Sequence, residues 1–339
     1  MLDAAGRPFL YVAQKEGGLL VLRLAGSARP TQAARIERAR LGGLHASALA
    51  QQGNYLYLGL GDFFAAGGSK AGLAIVDVSN PAAPALVSTW ISPETMNGVV
   101  KVLASGPTVY LGAKANGLLV FDVSNPAAIT KVGEVLPDPN YPKPNPNRIE
   151  RPNTRGLALA GTRLYVANDA GGFRVIDVAN RAAPREIARY VNPAVANKPR
   201  AYNNVVVSGT TAYVAVDYCG LEILNVADPA AIRQIGWWNP WGCDTPANNW
   251  FNSPGQTNEL VLDETRHLVH MSAGGSELVV VDVSDPARPV QRGQYRSPNA
   301  NQGAWGLAVG PNETYLTYIT SLVPFRGTWA GVRAVSTFR

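Results

Sequence analysis

Short apolar runs alternate with turn residues along the chain, and one of these runs recurs. Its clearest copies are GLAIVDVSNPAAP from Gly72, GLLVFDVSNPAA from Gly117, GFRVIDVANRAAP from Gly172, GLEILNVADPAA from Gly220 and ELVVVDVSDPARP from Glu277. Each run is too short for a typical helix and is rich in Val, Ile and Leu, as in a buried strand. Proline lacks an N–H and pushes the preceding residue to extended geometry, so strand pairing stops there. The pattern predicts a strand and then a tight turn in each copy.

Weaker copies of the run open and close the chain, at Gly18 and Gly331. With the acidic position of Asp77 as a marker, the seven copies fall at Arg23, Asp77, Asp122, Asp177, Asn225, Asp282 and Ser336. The interval of about 50 residues is the scale of a four-stranded propeller blade. Because Arg, Asn and Ser replace Asp in three copies, we interpret this Asp as a turn residue and not as a ligand.

A second motif precedes each run and carries a tyrosine at one fixed position. Its members are Tyr11, Tyr57, Tyr110, Tyr165, Tyr213 and Tyr315, with His270 at the same position in the sixth copy. We interpret these residues as packing residues of one equivalent strand, since a tyrosine buries its ring and bonds its hydroxyl to a partner. His267 and His270 point to opposite faces of such a strand, so we do not expect them to form a metal pair.

A small-residue strand precedes the tyrosine motif, and a short strand follows the proline turn, so each repeat has four strands, here called a, b, c and d. The sequence therefore predicts an all-β fold: a seven-bladed β-propeller of four-stranded antiparallel blades, with incomplete blades at the termini. Residues 1–339 are expected to form a single domain, because repeats build one continuous body.

The pattern LYVA, then GLxIxDVSNPxxP, then a short strand resembles the LVIVD-repeat propellers, and more distantly the WD-type propellers. The resemblance covers essentially the whole chain. It implies a propeller fold and a mostly exported or cell-surface family that shares no catalytic residues.

Composition and charge exclude several classes of function. Charged residues make up 16% of the chain, which has 34 Gly and 25 Pro, as suits an all-β body. The net charge of +6 is spread along the chain without a basic run, so we do not expect nucleic acid as a partner. No apolar stretch approaches the ~20 residues of a membrane span.

The start MLDAAGRPFLYVA shows no signal peptide, but it lies just before a strand, so this absence does not indicate the cytoplasm. We expect a monomer.

The connections from d to a and from b to c emerge together and differ in every repeat. We call the surface they form the variable face; its loops are residues 61–72, 91–97, 136–155, 191–204, 237–259, 296–305 and 321–329. Loop variation on one side of a regular scaffold is where binding residues usually lie. The alternative is that these loops only cover the central channel.

Polar residues collect where these loops meet strands a and b. The set at the entry to strand a is His45, Asn97, Arg155, Asn203, Asn204, Asn258 and Glu259, with Trp305 beside it. The set after strand b is Asp62, Lys114, Asp169 and Asp217. His45 with Glu259 or Asp217 has the chemistry of general acid–base catalysis, with Arg155 in the same site. The oxygen-rich side chains also allow Ca²⁺, although no EF-hand spacing exists. Asparagine is equally a routine turn residue.

Five large aromatic residues lie within one loop: Trp237, Trp238, Trp241, Trp250 and Phe251. They are too many to remain solvated. Two interpretations stay open: the rings pack on one another as a lid, or they form a stacking surface for sugar rings or for a partner.

The two cysteines, Cys219 and Cys243, lie in loops of the variable face that belong to the same blade. We predict a single disulfide, which indicates an oxidising compartment and therefore a secreted, periplasmic or cell-surface protein. It would close a loop of about 25 residues and stabilise the fold by roughly 3 kcal/mol. The alternative is two unrelated thiols.

Two functions fit the sequence. The first is an exported or cell-surface propeller that binds a carbohydrate, small molecule or protein partner on the variable face, at the mouth of the central channel. Its binding residues are expected among Asn97, Lys114, Asn203, Asn204, Asp217, Asn258, Trp241, Trp250 and Trp305. The alternative is a hydrolase or lyase at the same place, with His45, Arg155 and Glu259 as catalytic residues and with or without a metal ion.

Overall fold

The structure is a computed structural model. It describes residues 1–25, 28–65, 68–141, 153–249, 252–296, 302–320 and 327–336. In these ranges the strands form seven antiparallel sheets, and the helical segments are three short 3₁₀-helices at Arg38–Leu41, Pro193–Val195 and Pro229–Ala231. The contacts between residues divide the chain into two units. Unit 1 comprises residues 1–136 and 181–183, and unit 2 comprises residues 137–180 and 184–339.

Unit 1 contains blades 1 to 3. Blade 1 is β1 (Phe9–Ala13), β2 (Leu19–Ala25) and β3 (Ala28–Ile36). Blade 2 is β4 (Ala46–Gln52), β5 (Tyr55–Leu60), β6 (Gly72–Asp77) and β7 (Ala85–Ile91). Blade 3 is β8 (Lys101–Ser105), β9 (Thr108–Gly112), β10 (Leu118–Asp122) and β11 (Thr130–Val135). In blade 1 the place of strand a is taken by a single bridge between Leu2 and Leu10.

Unit 2 contains blades 4 to 7. Blade 4 is β12 (Gly156–Ala160), β13 (Arg163–Ala167), β14 (Phe173–Asp177) and β15 (Arg185–Tyr190). Blade 5 is β16 (Asn204–Ser208), β17 (Thr211–Ala215), β18 (Leu221–Asn225) and β19 (Arg233–Trp238). Blade 6 is β20 (Leu260–Asp263), β21 (Leu268–Ser272), β22 (Leu278–Asp282) and β23 (Val290–Tyr295). Blade 7 is β24 (Gln302–Val309), β25 (Glu313–Thr320) and β26 (Trp329–Ser336).

The register of strands b and c confirms the repeat alignment. The repeated tyrosine, or His270 in blade 6, is the third residue of strand b in all seven blades. The marker residue pairs with the first residue of strand b in each blade, as Asp77 does with Tyr55 and Ser336 with Glu313. The fold class is therefore a seven-bladed β-propeller, and its terminal blades are incomplete, as predicted. Among the described residues each of them has three strands, and the short inner strand expected in blade 1 is a single bridge.

The marker residue ends strand c by accepting hydrogen bonds in the turn that follows. The Asp77 carboxylate accepts from the backbone N–H of Ser79 at 2.7 Å, and Asp282 accepts from Ser284 at 2.8 Å. Asn225 makes the same bond to Ala227 at 3.1 Å, which explains why Asn replaces Asp there. These contacts confirm the interpretation of the marker as a turn residue.

The core lies between neighbouring blades and consists mainly of residues from strands b and c. In unit 1, one cluster joins blades 1 and 2 through Tyr11, Val21 and Leu58. In unit 2, a cluster joins blades 4 and 5 through Tyr165, Phe173 and residues of β17. This packing buries the apolar run of each strand c, as its composition predicts.

Candidate functional site

The second residue after strand b has a left-handed backbone in several blades: Lys15 (φ 49°), Lys114 (φ 52°), Asp169 (φ 50°) and Asp217 (φ 34°). At Asp169 the reason is a backbone pair with the next blade, because its N–H donates to the Tyr202 carbonyl at 2.9 Å and the Tyr202 N–H donates back at 3.0 Å. Lys15 pairs in the same way with Ala46, and Asp217 with Thr257, so these side chains lie beside the entry to the next strand a.

Asn203 and Asp217, both predicted site residues, contact each other in unit 2. The Asn203 amide donates to the Asp217 carboxylate at 3.3 Å and to the Thr257 carbonyl at 2.7 Å. Both side chains are buried. Asn258 is buried as well, and its amide lies 3.4 Å from the Ala304 carbonyl. These three side chains therefore link the entries of neighbouring inner strands, with Asp217 as acceptor and the amides of Asn203 and Asn258 as donors.

Asn204 and Glu259, also predicted, form a hydrogen-bonded pair between blades 5 and 6. The amide nitrogen of the buried Asn204 side chain donates to the Glu259 carboxylate. The side-chain oxygen of Asn204 accepts from the backbone N–H of Val205 at 2.8 Å. Neighbouring inner strands approach closely here: a Cβ at Gly156, the first residue of β12, would collide with the backbone of Asn204. Glycine is therefore required at that position.

Arg155 and Trp305 complete the cluster. The Arg155 guanidinium lies 5.7 Å from the centre of the Trp305 ring, in reach of a cation–π interaction. The Ser272 hydroxyl links Trp305 to Glu259, because it donates to the Trp305 carbonyl at 2.7 Å and accepts from the Glu259 N–H at 3.0 Å. Arg155, Asn204, Glu259 and Trp305 thus form one connected set, which we call the unit 2 cluster.

His45 lies in unit 1, directly before β4. Its Nε2 is 3.2 Å from the Arg38 guanidinium, and its Nδ1 is 3.8 Å from the Asp62 carboxylate. The second distance is too long for a hydrogen bond, so a histidine–carboxylate dyad is not formed here. Burial lowers the pKa of His45 below its ordinary value. A site that joins His45 to Arg155 and Glu259 stays a prediction.

Lys114 and Asn97 hold other loops of unit 1. Lys114 donates from Nζ to the Phe63 carbonyl at 2.6 Å, and Asn97 bridges to Ser69 through the backbone. Asn97 lies in the connection before β8, four residues ahead of the strand. These contacts hold Phe63 and Ser69, two described residues of the 61–72 loop.

Two buried charged residues that sequence reasoning missed hold the long loops of unit 2. Glu222 is fully buried in β18 and accepts from the Asn192 amide at 2.9 Å and from the Tyr202 hydroxyl at 3.1 Å. Burial raises the pKa of Glu222 to about 7. The only signal in the sequence is a charged residue inside an apolar run.

Arg174 has the equivalent position in β14 and is also fully buried. Its guanidinium pairs with Glu186 at 2.9 Å and donates to the carbonyls of Asp138 at 3.2 Å and Tyr141 at 2.8 Å. Because an uncompensated buried charge is costly, these bonds fix residues 138–141 to the body of blade 4.

The predicted disulfide is present. Cys219 and Cys243 are bonded, with their Cα atoms 5.1 Å apart, and both are buried. Lys198 holds the same loop, since its ammonium donates to the carbonyls of Cys243, Thr245 and Asn248. The loop after blade 5 is therefore tied at two points.

Trp237 and Trp238 were expected in the loop but are the last residues of β19, and Trp241 lies in the loop that follows it. These aromatic residues contact one another and the blade. The Trp238 and Trp241 rings meet edge to face with centroids 5.5 Å apart, and the Trp237 indole N–H donates to the Cys219 carbonyl at 2.8 Å. These contacts favour the lid interpretation over a free stacking surface. Trp250 and Phe251 lie outside the described residues.

In the ranges that the structure describes, no group of three or more His, Cys, Asp or Glu side chains is placed to hold a metal ion. Within the same ranges, no helix is long and apolar enough to cross a membrane.

Comparison of this chain with known protein families and solved structures agrees with the propeller fold. Seven sheets in one repeated register define the chain as a β-propeller. A family model described as the LVIVD repeat matches residues 43–91, 99–136, 153–192, 199–237 and 272–297, which is more than half of the chain. The chain belongs to the LVIVD repeat family.

Solved structures of similar fold are distant in sequence. A chain of the mitotic checkpoint complex is 12% identical with a TM-score of 0.62, and the match covers 93% of this chain and 87% of that one. YCF48 bound to D1 peptide is 7% identical with a TM-score of 0.57, covering 98% and 89%. The computationally designed Ika8 protein is 10% identical with a TM-score of 0.58, covering 99% and 82%. At these identities the likeness shows the fold alone. No curated protein matches the chain.

Proposed function

We propose that this protein is an exported propeller that binds a partner through the variable face, and that the unit 2 cluster is part of the binding surface. One observation carries the proposal: Arg155, Asn204, Glu259 and Trp305 come from four different blades and form one connected set. The Arg155 cation, the Glu259 carboxylate and the Trp305 indole offer charged, hydrogen-bonding and stacking contacts to a polar ligand, while the buried Asn204 positions the carboxylate.

The loops around this cluster support binding, because they are held in place before any ligand arrives. Glu222 holds the loop before β16, and the disulfide and Lys198 hold the loop after β19. Loops that are already ordered lose less conformational entropy on binding, which favours affinity.

A protein segment is the ligand class we favour among those predicted from the sequence. Two of the structural neighbours were solved with partners, one as a chain of the mitotic checkpoint complex and the other as YCF48 bound to D1 peptide. Trp and Arg are also the residues that most often dominate protein interfaces. Export rests on the disulfide, since such bonds persist in oxidising compartments.

The test is to select ligands from a displayed peptide library and from a glycan array, and to measure their affinity for variants. Arg155→Ala and Trp305→Ala should each weaken binding by about tenfold or more. The matched control is Arg288→Ala, an exposed residue of the c-to-d turn in blade 6 whose side chain pairs only at the surface with Asp285.

Two results would contradict the proposal. The first is a selected ligand whose affinity falls with Arg288→Ala and is unchanged by Arg155→Ala and Trp305→Ala. The second is chemical conversion of the ligand that His45→Ala abolishes, which would support the hydrolase or lyase alternative instead.

A further inference from the structure

Three polar side chains of blades 1 and 2 lie close together without hydrogen bonds between them. The Lys15 ammonium is 3.9 Å from Oδ1 of Asp62, and Nδ1 of His45 is 3.8 Å from Oδ2 of the same carboxylate. Both distances are longer than a hydrogen bond. We call these three residues the unit 1 site, because all of them belong to unit 1, whereas the unit 2 cluster belongs to unit 2.

Lys15 brings a buried cation to this site. Its side chain is 10% exposed, and among the described residues its ammonium finds no hydrogen-bond acceptor. Besides the Asp62 carboxylate, it contacts the rings of Phe63 and Phe64, at 5.0 and 4.5 Å from their centroids. An ammonium has three N–H donors, and leaving them unused in a buried place costs free energy.

His45 brings a second unused donor. Its Nε2 lies 3.2 Å from the Arg38 guanidinium, which can only donate, so Nε2 is the acceptor and Nδ1 carries the ring proton. Among the described residues this buried Nδ1 has no hydrogen-bond partner. Two donors therefore face one carboxylate across gaps that no described side chain fills.

The backbone holds the three groups in this arrangement. Lys15 is left-handed and pairs in both directions with Ala46, the residue after His45, at 2.8 and 3.0 Å. The N–H of Gly61 donates to the His45 carbonyl at 2.8 Å, which places Asp62 beside the histidine. The site is thus ordered before a ligand arrives, which lowers the entropic cost of binding.

The charges of the site select the ligand group. A carboxylate or a phosphate would be repelled by Asp62, and an amine would be repelled by Lys15. A hydroxyl suits both, because it accepts from Lys15 or His45 and donates to Asp62. With hydrogen bonds of about 2.8 Å, one oxygen can bridge a gap of 3.8 or 3.9 Å. Since the two gaps share one carboxylate, two neighbouring hydroxyls match the site.

We propose that Lys15, His45 and Asp62 bind the vicinal diol of a sugar ring. One hydroxyl bridges Lys15 to Oδ1 of Asp62, and the other bridges His45 to Oδ2. The half-buried Phe64 ring, which lies against the Lys15 ammonium, supplies an apolar surface for the C–H groups of the sugar. The side chains of Asp62 and His45 are 32% and 19% exposed, so the diol reaches them from solvent. The inference does not depend on the unit 2 cluster.

The probes are the methyl glycosides of glucose, galactose and mannose, together with adenosine. They carry a vicinal diol on a six-membered or a five-membered ring. Saturation-transfer NMR with the full chain should show saturable binding of at least one probe, with a Kd on the order of 1 mM. The deoxy analogue that lacks one hydroxyl of the pair should bind at least about tenfold more weakly.

Two variants test the residues of the site. Lys15→Met keeps the apolar stem and removes the ammonium, and Asp62→Asn keeps an oxygen that accepts from the Phe64 N–H. Each should weaken binding by about tenfold or more. The matched control is Lys131→Met, an exposed lysine of β11 in the same unit, which should leave the affinity unchanged.

Thermal denaturation checks that each variant is folded. If Lys15→Met is not folded, the comparison of the bound probe with its deoxy analogue on the unmodified protein decides alone.

Three results would overturn the inference. The first is the absence of saturable binding of every probe at concentrations up to about 50 mM. The second is equal affinity for a bound probe and its deoxy analogue. The third is binding that Trp305→Ala abolishes and Lys15→Met leaves unchanged, which would place the sugar at the unit 2 cluster instead.

Discussion

His270 provides the sharpest test of the repeat alignment, because it stands where the other six blades have tyrosine. The side chain is fully buried in β21, and its residue pairs with Val280 of β22, as Tyr213 pairs with Ile223 in blade 5. Burial lowers the pKa of His270 from 6.5 to about 4. The perturbation we propose is His270→Tyr, which restores the residue of the other blades.

The sign and size of the effect follow from that pKa. Because the folded protein holds the neutral ring, the stability that this group contributes is complete above pH 6.5 and is lost as the pH falls through about 4. The fall of this pKa from 6.5 to about 4 corresponds to roughly 3 kcal/mol. The wild-type protein should therefore lose up to about 3 kcal/mol more than His270→Tyr between pH 7 and pH 4.

The assay is urea unfolding of both proteins at pH 7, 5.5 and 4, with the difference in the free energy of unfolding taken at each pH. At pH 7 the two should agree within about 1.5 kcal/mol, since the position accepts tyrosine elsewhere. The reciprocal variant Tyr213→His should introduce the same acid sensitivity into blade 5. Equal pH dependence of wild type and His270→Tyr would refute the reasoning.

Three further predictions concern the loops of unit 2. The pKa of Glu222 in the folded protein is raised to about 7, so its contribution to the free energy of unfolding is present below pH 4.5 and is lost as the pH rises through 7. Glu222→Gln should remove this loss of stability at high pH, measured by urea unfolding. The same loss in the variant and the wild type would contradict the prediction. Replacing Cys219 and Cys243 by Ser should lower the free energy of unfolding by about 3 kcal/mol, measured by thermal denaturation. A reductant should lower the melting temperature of the wild type and leave that of the variant unchanged. Equal melting temperatures of the oxidised and reduced wild type would contradict the prediction. Arg174→Met should speed hydrogen exchange of residues 138–141. The control is Arg185→Met, which removes a side chain that is 74% exposed and should not change this exchange. Equal effects of the two variants would rule out a special role for the buried charge.

The fold could be predicted from the sequence because each blade repeats the same local rules. An apolar run of fixed length, a marker such as Asp77 and a proline turn define strand c and its end without any long-range information. The tyrosine positions and the pairing of Cys219 with Cys243 followed from the same alignment. Even the exception at His270 was placed correctly, since the register fixes its position whatever the side chain is.

The contacts of the site could be predicted only in part. The repeat placed Arg155, Asn204 and Glu259 at equivalent entries to strand a, but it gave no distance between residues of different blades. The contact between Arg155 and Trp305 depends on side chains from blades 4 and 7. Glu222 was missed because a charge inside an apolar run gives no indication of the loop that neutralises it.

The most direct test of the central claim is a hydrogen-exchange footprint of the protein with a ligand selected from the displayed peptide library. Protection should appear at the entries to β16 and β20, where Asn204 and Glu259 lie, and around Trp305 within β24, and it should be lost with Trp305→Ala. The c-to-d turns, such as the one at Arg288, should exchange at the same rate with and without ligand. Protection confined to those turns would contradict the account.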